Sequence, residues 1–392
     1  MKNLFFVFVM FIGMSLSASA ATIIVTTAAG DNTAGSFRNV FTNAEDGDII
    51  EFNIAGEDVI TLAGACTRTK GSTTITINGI NKATGKPIVL DIKGTNSIYR
   101  SNSGASGVHI NFNDLIFRNG KNSSAGGGIL LGNSAHTARS TVKFRNCTFE
   151  GCESGAQGGA LAYNQWTDLT VENCTFINNK ATTSGGAVAS ASSSNNSAVL
   201  SNCTFYNNEA ITSGGAFFSN SAVATPVVNC TFVGNKVTGT TPQGGGAFAD
   251  ANGQTTFVNC ILAGNSPDDV FGKRTNLKYC IVQTIGETET IKINSEENAV
   301  LYAASVFAGG IAELKDNGGF TKTRALVGIN NFAYYGGNPV YAGTGSALYG
   351  LNKDQREVLR NVPNPSIGAF DIHKKIITHI ITNRNITTSI KK

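Results

Sequence analysis

The stretch Asn202-Cys203-Thr204-Phe205 decides the fold, because the chain repeats it at nearly even spacing. Identical copies begin at Asn146, Asn173 and Asn229, and a divergent copy, Asn-Cys-Ile-Leu, begins at Asn259. The cysteines of successive copies are 27, 29, 27 and 30 residues apart. A nearly fixed period of this length is typical of stacked repeats rather than of a closed globular domain.

A second motif, Gly-Gly followed by a small or apolar residue, stands between these copies. It occurs at Gly127-Gly128-Ile129, Gly158-Gly159-Ala160, Gly185-Gly186-Ala187, Gly214-Gly215-Ala216 and Gly245-Gly246-Ala247. Glycine adopts the positive φ angles of tight turns readily, so we interpret each pair as a turn. Each unit then holds three short strands, for example 187–189, 198–200 and 203–205. Such strands become stable only when each coil pairs with the next, about 4.8 Å away.

Alternation along a strand predicts which side chains point into each coil. In Asn-Cys-Thr-Phe, the Cys and Phe side chains point the same way and the Thr side chain points the opposite way. Burial of each Phe contributes roughly 1.5–3 kcal/mol, so we place the Phe and Cys columns inside. The Phe column is Phe149, Phe176, Phe205 and Phe232, and the Thr column expected outside is Thr148, Thr175, Thr204 and Thr231.

The strand after each Gly-Gly pair is predicted to bury its larger side chains. The expected inner column is Leu130, Leu161, Val188, Phe217 and Phe248. The neighbouring alanines expected to face outward are Ala160, Ala162, Ala187, Ala189, Ala247 and Ala249. We expect this Ala-rich face to contact either the C-terminal region or an external ligand.

Charge and metal-ligand content argue against two kinds of site. The net charge is +4 over 392 residues and is not gathered in one stripe, so the dense basic track of a nucleic-acid-binding protein is missing. The chain has four histidines, and no two of its eight cysteines form a CxxC pair. We therefore expect neither a nucleic-acid partner nor a metal site.

Six of the eight cysteines share one phase of the repeat. Because unpaired cysteine behaves as a small hydrophobe, we interpret these six as an internal stack. One or two disulfides between neighbouring coils remain the alternative for an exported chain. Cys66 and Cys152 lie outside this phase and are the cysteines expected to have another role. The Asn-Cys-Thr triplets match the N-glycosylation pattern, but we interpret each Asn as a corner whose side chain hydrogen-bonds along the stack.

The N-terminus has the features of a secretory signal peptide. Lys2 precedes an apolar run from Leu4 to Ile12, and Ala18-Ser19-Ala20 gives a small-residue cleavage pattern, so cleavage is predicted after Ala20. We divide the chain into a signal peptide (1–20), an N-terminal cap with the first coils (21–109), repeat-bearing coils (110–285), a closing segment (286–372) and a tail (373–392). No transmembrane segment is expected in the mature chain, because no later stretch approaches ~18 apolar residues.

Two resemblances add to this interpretation. Phe-x-x-Asn, as at Phe176 to Asn179, alternates with Gly-Gly-Ala and resembles the repeats of polymorphic outer membrane proteins over residues 110–285. Those repeats belong to the pectate-lyase-like superfamily, which implies an all-β, right-handed parallel β-helix (solenoid). The unit of Phe149 departs from the pattern, because Cys152 stands where Asn is expected.

The two ends resemble secreted bacterial β-helix proteins of the choice-of-anchor Q type. The N-terminal match is 35–41 followed by 46–52, where such proteins have a short capping helix on the first coil. The C-terminal match is 316–323, 354–356 and 366–371. In that family Gly usually follows Asp-Gln-Arg, whereas this chain has Glu357. The resemblance implies a bacterial protein that is secreted or held at the cell surface, in association with the outer membrane. The tail carries no anchoring motif that we recognise.

The outward positions do not form the column of carboxylates that enzymes on this fold use. Asp168, Asp250 and the pair Asp268-Asp269 lie at different phases of the repeat, and we interpret the pair as a solvated turn. No catalytic residue is assigned on this basis. Trp166, the only tryptophan, lies beside Asp168, and these two residues are the candidate sugar-binding contacts.

The leading hypothesis is a non-catalytic surface or adhesion protein that binds a polysaccharide or a cell-surface protein and needs no cofactor. The alternative is a polysaccharide lyase or glycoside hydrolase with a site built from loops. Lyases of this fold bind calcium through carboxylates, so calcium belongs to that alternative only. A third hypothesis is a passenger module released from a longer surface protein.

Overall fold

The fold is described from a computed structural model of the chain. The described residues are 20–68, 70–101, 107–132, 137–192, 196–239, 244–252, 255–272, 275–286, 292–293, 300–301, 311–319, 321–326, 353–360 and 366–369. All but the last residue of the predicted signal peptide, and the whole tail from 373 to 392, lie outside these ranges.

The chain forms a parallel β-helix, in which each strand pairs in parallel with its counterpart in the next coil. Sheet 1 has 11 strands: Thr22–Val25, Ile49–Phe52, Thr74–Asn81, His109–Asn113, Ser140–Arg145, Thr167–Glu172, Asn196–Ser201, Thr225–Val228, Thr255–Val258, Asn276–Lys278 and Lys292–Ile293. Sheet 2, which contains the Asn-Cys-Thr-Phe motifs, has 10: Val59–Thr61, Ile88–Asp91, Leu115–Arg118, Thr148–Glu150, Thr175–Ile177, Thr204–Tyr206, Thr231–Val233, Ile261–Ala263, Ile281–Val282 and Val300–Leu301.

Two further parallel sheets and a hairpin complete the described strands. Sheet 3 follows the Gly-Gly turns and has 8 strands: Cys66–Arg68, Tyr99–Ser101, Ile129–Leu131, Leu161–Tyr163, Val188–Ser190, Phe217–Ser219, Phe248–Asp250 and Val270–Gly272. Sheet 4 has 5 two-residue strands: Lys121–Asn122, Glu153–Ser154, Lys180–Ala181, Glu209–Ala210 and Lys236–Val237. The antiparallel hairpin joins Ile311–Lys315 to Thr323–Leu326. The expected three strands per coil therefore become four in the central coils.

A short helix, α1 (Phe37–Asn43), caps the first coils as expected. The Ser36 side chain accepts a hydrogen bond from Asn39 N, which satisfies one of the free amide groups at the helix start. Phe41 packs edge-on against Tyr99 at 5.4 Å between ring centroids. The fully buried Arg68 donates to the carbonyl oxygens of Phe41 and Ala44, so it satisfies acceptors at the helix C-terminus.

The predicted Phe column lies inside the coils. The rings of Phe149, Phe176, Phe205 and Phe232 are fully buried and stack with successive centroid distances of 4.8, 4.7 and 4.4 Å. Phe117 extends the column by one coil at 4.9 Å. Because these distances equal the spacing between paired strands, the rings are held in register by the sheet itself.

The cysteines form the predicted internal stack as free thiols. All eight are buried and none is in a disulfide, including Cys66 and Cys152, for which another role was expected. The backbone amide of one cysteine donates to the sulfur of the next, as Cys147 N does to Cys174 Sγ at 3.4 Å. Burial raises the pKa of the Cys66 and Cys152 thiols to about 12, so neither has thiolate character near neutral pH.

The predicted inner column of sheet 3 is wrong at Leu130. Ile129, not Leu130, pairs with Leu161, and Leu130 pairs with Ala162. The turn glycine with positive φ that precedes Ile129 is Gly126, so the repeat in this coil begins one residue earlier than the Gly-Gly motif indicated. Its Ala position is occupied by Gly128, where an added Cβ would approach the Cys152 sulfur at 3.0 Å.

The outward Ala-rich face was also predicted wrongly. Ala160 and Leu161 both belong to the hydrophobic core, because the amides of these two consecutive residues donate to one acceptor, Ala187 O. A shared acceptor interrupts strict alternation in the same way at Ala187-Val188 and at Ala247-Phe248. Ala162 points away from the core but is covered by the turn of Gly158, where an added Cβ would lie 2.9 Å from the Ala162 Cβ. The alanines therefore offer no docking face.

The Thr column points away from the core as predicted, but it is not free surface. Thr175, Thr204 and Thr231 are buried, whereas Thr148 is partly exposed. The buried threonines are covered by residues 353–360 and 366–369, which we call the C-terminal strap. Thr204 Oγ1 donates to Gln355 Oε1 at 2.6 Å, and Ala369 N donates to Thr231 Oγ1 at 3.0 Å.

Two ladders of asparagine side chains run along the coils. The outer ladder follows the predicted corners: the side-chain amides of Asn146, Asn173 and Asn202 link successive coils at 3.2 Å. These residues are buried, as the corner interpretation of the glycosylation triplets requires. The inner ladder belongs to Phe-x-x-Asn and runs through Asn179, Asn208, Asn235 and Asn265 at 2.9 Å per step.

The inner ladder ends on Asp269, which corrects the interpretation of Asp268-Asp269 as a solvated turn. Asp269 is fully buried, and its carboxylate accepts hydrogen bonds from Asn265 Nδ2 at 2.7 Å and from the amides of Gln283 and Thr284, both at 2.8 Å. Burial raises the pKa of Asp269 to about 6. The carboxylate thus terminates a chain of buried amides.

Candidate functional groove

Sheet 4 carries a row of alternating charges on the outside of the coils. Its first residues are Lys121, Glu153, Lys180, Glu209 and Lys236, one per coil and paired in register. Lys121 Nζ lies 2.7 Å from Glu153 Oε2, Lys180 Nζ lies 2.7 Å from Glu209 Oε1, and Lys236 Nζ lies 2.9 Å from Glu209 Oε2. Hydrogen bonding to Lys180 holds the pKa of Glu209 below its usual value.

A groove lies at the start of this row. It consists of two adjoining depressions of about 430 and 460 Å³ that share Gly94, Lys121 and Glu153. The first depression is lined further by Asp91, Lys93, Asn119, Gly120 and Gly151. The second is lined further by Thr95, Asn122, Ser123, Ser154, Gly155, Lys180 and Thr182. The groove therefore crosses four coils, and its lining includes charged side chains of both signs together with hydroxyl and amide groups.

Both carboxylates in the groove have partners. Asp91 accepts two hydrogen bonds from Asn119 Nδ2, at 3.1 and 3.2 Å, and one from Lys93 N at 2.8 Å. Glu153 is paired with Lys121. The hydroxyl, amide, ammonium and carboxylate groups of these residues line one open channel. Such a mixture can exchange hydrogen bonds with ligand hydroxyls, each of which donates and accepts.

The groove was not predicted from the sequence, although the sequence contains a signal for it. The residue after each inner-ladder position alternates in charge: Glu153 follows Cys152, Lys180 follows Asn179, Glu209 follows Asn208 and Lys236 follows Asn235. Read as a column, these residues predict a charged row on the outside of the solenoid. The fourth strand that displays them is two residues long, too short to be recognised from alternation.

Trp166 and Asp168, the candidate sugar-binding residues, lie elsewhere. Trp166 is half-buried at φ 61°, in the turn before strand Thr167–Glu172 of sheet 1. Asp168 accepts from Arg139 Nη1 at 2.6 Å and also from Ser197. Neither residue lines the two depressions of the groove. The structure thus does not combine them with the groove residues, and their sugar-binding role stays a prediction.

The described residues contain no cluster of three or more His, Cys, Asp or Glu side chains placed to bind a metal ion. Asp250, one of the carboxylates considered from the sequence, is buried at the end of a sheet 3 strand. Within the same described ranges, no helix is both long enough and apolar enough to span a membrane.

Comparison with known proteins identifies the architecture. The family described as a right handed beta helix region matches residues 31–262, which is more than half of the chain. This match agrees with the parallel coils and supplies their handedness. Searches of curated proteins and of solved structures find no match.

Proposed function

This chain belongs to the right-handed β-helix family, and we propose that it is an exported, non-catalytic surface protein that binds glycans through the groove at Lys121 and Glu153. The observation that carries the proposal is the groove itself, a channel across four coils that presents paired charges, hydroxyls and amides to solvent. The predicted signal peptide supports export. The resemblances to polymorphic outer membrane proteins and to choice-of-anchor Q proteins support a place at a bacterial cell surface.

The pairing of the carboxylates supports binding rather than cleavage. A glycosidase needs one carboxyl group as acid and a second as base or nucleophile at the scissile bond. In this groove Glu153 is neutralised by Lys121, and Asp91 is occupied by three hydrogen bonds from Asn119 and Lys93. Both carboxylates can accept hydrogen bonds from the hydroxyls of a bound sugar.

One observation favours a second candidate, a polysaccharide lyase or hydrolase. Two carboxylates, Asp91 and Glu153, lie in the same groove as Lys121. A lyase needs a basic side chain near a uronate and, in this fold, calcium on carboxylates. If calcium binds, Asp91 and Glu153 are the groove residues that offer it oxygen ligands.

A panel of neutral and acidic polysaccharides, tested with calcium and with a chelator, distinguishes the two candidates. The proposal predicts retention of at least one glycan without new chain ends. Lys121→Ala should weaken binding about tenfold, equivalent to ~1.4 kcal/mol. Lys236→Ala removes a lysine from the same row outside the groove and should leave affinity unchanged. Calcium-dependent shortening of the polysaccharide would instead establish the enzyme. Equal losses of glycan affinity in the two variants would exclude the groove as the binding site.

A further inference from the structure

The C-terminal strap is held on the coils by side-chain hydrogen bonds, and those of Gln355 are the most extensive. Gln355 is fully buried, and its side-chain amide nitrogen donates to Thr175 Oγ1 at 2.7 Å and approaches Thr321 Oγ1 at 2.8 Å. Its carbonyl oxygen accepts from Thr204 Oγ1 at 2.6 Å. One carboxamide therefore bridges the threonines of two successive coils, and both of its ends are satisfied.

The Asp-Gln-Arg segment is shaped to present this glutamine. Asp354 accepts hydrogen bonds from Arg356 N at 2.8 Å, from Arg356 Nε at 2.8 Å and from Val358 N at 3.2 Å. The resulting tight loop holds Gln355 against the Thr column. Glu357 follows at φ 66°, a conformation that costs little for glycine but is unfavourable for glutamate.

Contacts of Glu357 offset that backbone cost. Its carboxylate accepts from Arg145 Nη2 at 2.6 Å and from Asn173 Nδ2 at 2.8 Å, and Lys353 Nζ lies 3.2 Å away. The left-handed turn is thus kept with glutamate, and the side chain adds a tie to the sheet 1 strand Ser140–Arg145. The strap gains a charged contact that glycine at this position could not make.

The remaining strap contacts extend along the solenoid. Arg360 is buried and donates to Asn202 Oδ1 at 2.9 Å, while Asn202 Nδ2 donates to Lys353 O at 2.9 Å. Gly368 N donates to Asn259 O at 2.7 Å. The strap therefore contacts five successive coils, from the coil of Arg145 to that of Asn259. At about 4.8 Å per coil this is a span of roughly 19 Å.

We propose that the outer Thr column of sheet 2 and the adjoining outer Asn ladder form a docking site for a polypeptide segment, and that the C-terminal strap, residues 353–360 and 366–369, is its resident occupant. In a solenoid each coil contacts only its two neighbours, so an outer coil can open without the rest. A segment bound along the axis links five coils and makes them open together. The Thr and Asn side chains recognise the occupant through the Gln355 carboxamide, the Glu357 carboxylate and the Arg360 guanidinium.

Cleavage of the connection to the strap in the folded full-length chain tests this proposal. A protease recognition sequence is inserted between residues 335 and 345, the purified protein is cut, and release of the C-terminal fragment is followed by size-exclusion chromatography. We expect the fragment to stay bound and a synthetic 351–370 peptide in excess to displace it. Gln355→Ala should speed release about tenfold or more, whereas Gln157→Ala, a glutamine outside the strap, should leave the rate unchanged.

Two more variants keep the test decisive. Thr204→Val removes one of the partners of Gln355, the hydroxyl that donates to its carbonyl oxygen, so adding Thr204→Val to Gln355→Ala should speed release less than Thr204→Val does alone. If the Gln355→Ala protein does not fold well enough to purify, Glu357→Gln serves as the second variant with a weakened strap, and its fragment should also be released faster. The proposal is overturned if the fragment separates from the unaltered protein immediately on cleavage, if the peptide does not compete, or if Gln355→Ala and Gln157→Ala release at the same rate.

Discussion

The two sides of the sheet 2 strands differ in what determines their surroundings. On the inner side, Phe205 stacks on Phe176 and Phe232, which the repeat places one coil away on either side. On the outer side of the same strand, Thr204 hydrogen-bonds to Gln355, which is 151 residues away in the sequence. The repeat thus determines the interior by itself, whereas the exterior depends on a segment that is not part of the repeat.

The largest expected effect comes from the inner side. Phe205→Ala removes a fully buried ring from the middle of the column, and such truncations typically cost about 3–5 kcal/mol in the free energy of unfolding. Urea denaturation measures the loss. Phe218→Ala, on the outer side of sheet 3 where the ring is partly exposed, is the matched control and should cost much less. Equal losses would contradict the assignment of faces.

The outer side predicts a smaller effect that depends on the strap. Thr204→Val keeps the shape of the side chain but removes the hydroxyl that donates to Gln355, and leaves a buried carbonyl oxygen without this donor. The expected cost is about 1–3 kcal/mol by urea denaturation. Thr148→Val, in a partly exposed member of the same column, should change stability by less than about 0.5 kcal/mol. A similar cost for both would mean that the strap does not cover Thr204.

Acid should weaken the strap through Glu357. Partial burial opposes its ionisation, but the hydrogen bond and charge of Arg145 outweigh that effect and hold the pKa of Glu357 below its usual value. Its contribution is therefore present above the unfolded pKa of about 4.3 and is lost as pH falls through the lower folded value. Because the pair is partly exposed, we expect less than about 1 kcal/mol.

The measurement is the difference in unfolding free energy between the unaltered protein and Glu357→Gln from pH 7 to pH 3. The difference should shrink toward zero on acidification. Asp269, whose raised pKa acts in the opposite sense, is present in both proteins and cancels. A difference that does not change with pH would exclude an ionic role for Glu357.

The smallest expected effect is the reactivity of the inner-side thiols in the folded protein. All eight cysteines are buried and free, so the folded protein should not react with a thiol reagent, and eight thiols should react after unfolding without reductant. Quantitative labelling followed by mass spectrometry measures both numbers. Fewer than eight thiols in the unfolded chain would establish the disulfide alternative.

The interior could be predicted from the sequence because one residue type recurs at each inner position. Phe176 and Cys174 in their repeats required only alternation and the period. The prediction of an outward Ala-rich face was wrong because several sheet 3 strands begin irregularly, so that Ala160 and Leu161 both belong to the core. The groove was not predicted because its residues, such as Lys121 and Glu153, become neighbours only through two-residue strands, which are too short for alternation to reveal.

The central claim is that the strap lies on the outer side of the strands whose inner side holds the Phe column. Hydrogen exchange at the amides of Gly368 and Ala369 tests it most directly, because these amides donate to Asn259 O and Thr231 Oγ1 of the coils. The account predicts protection comparable to that of Thr204 N, which bonds to the neighbouring coil. Exchange of these strap amides at the rate of an unfolded peptide, beside a protected Thr204, would contradict it.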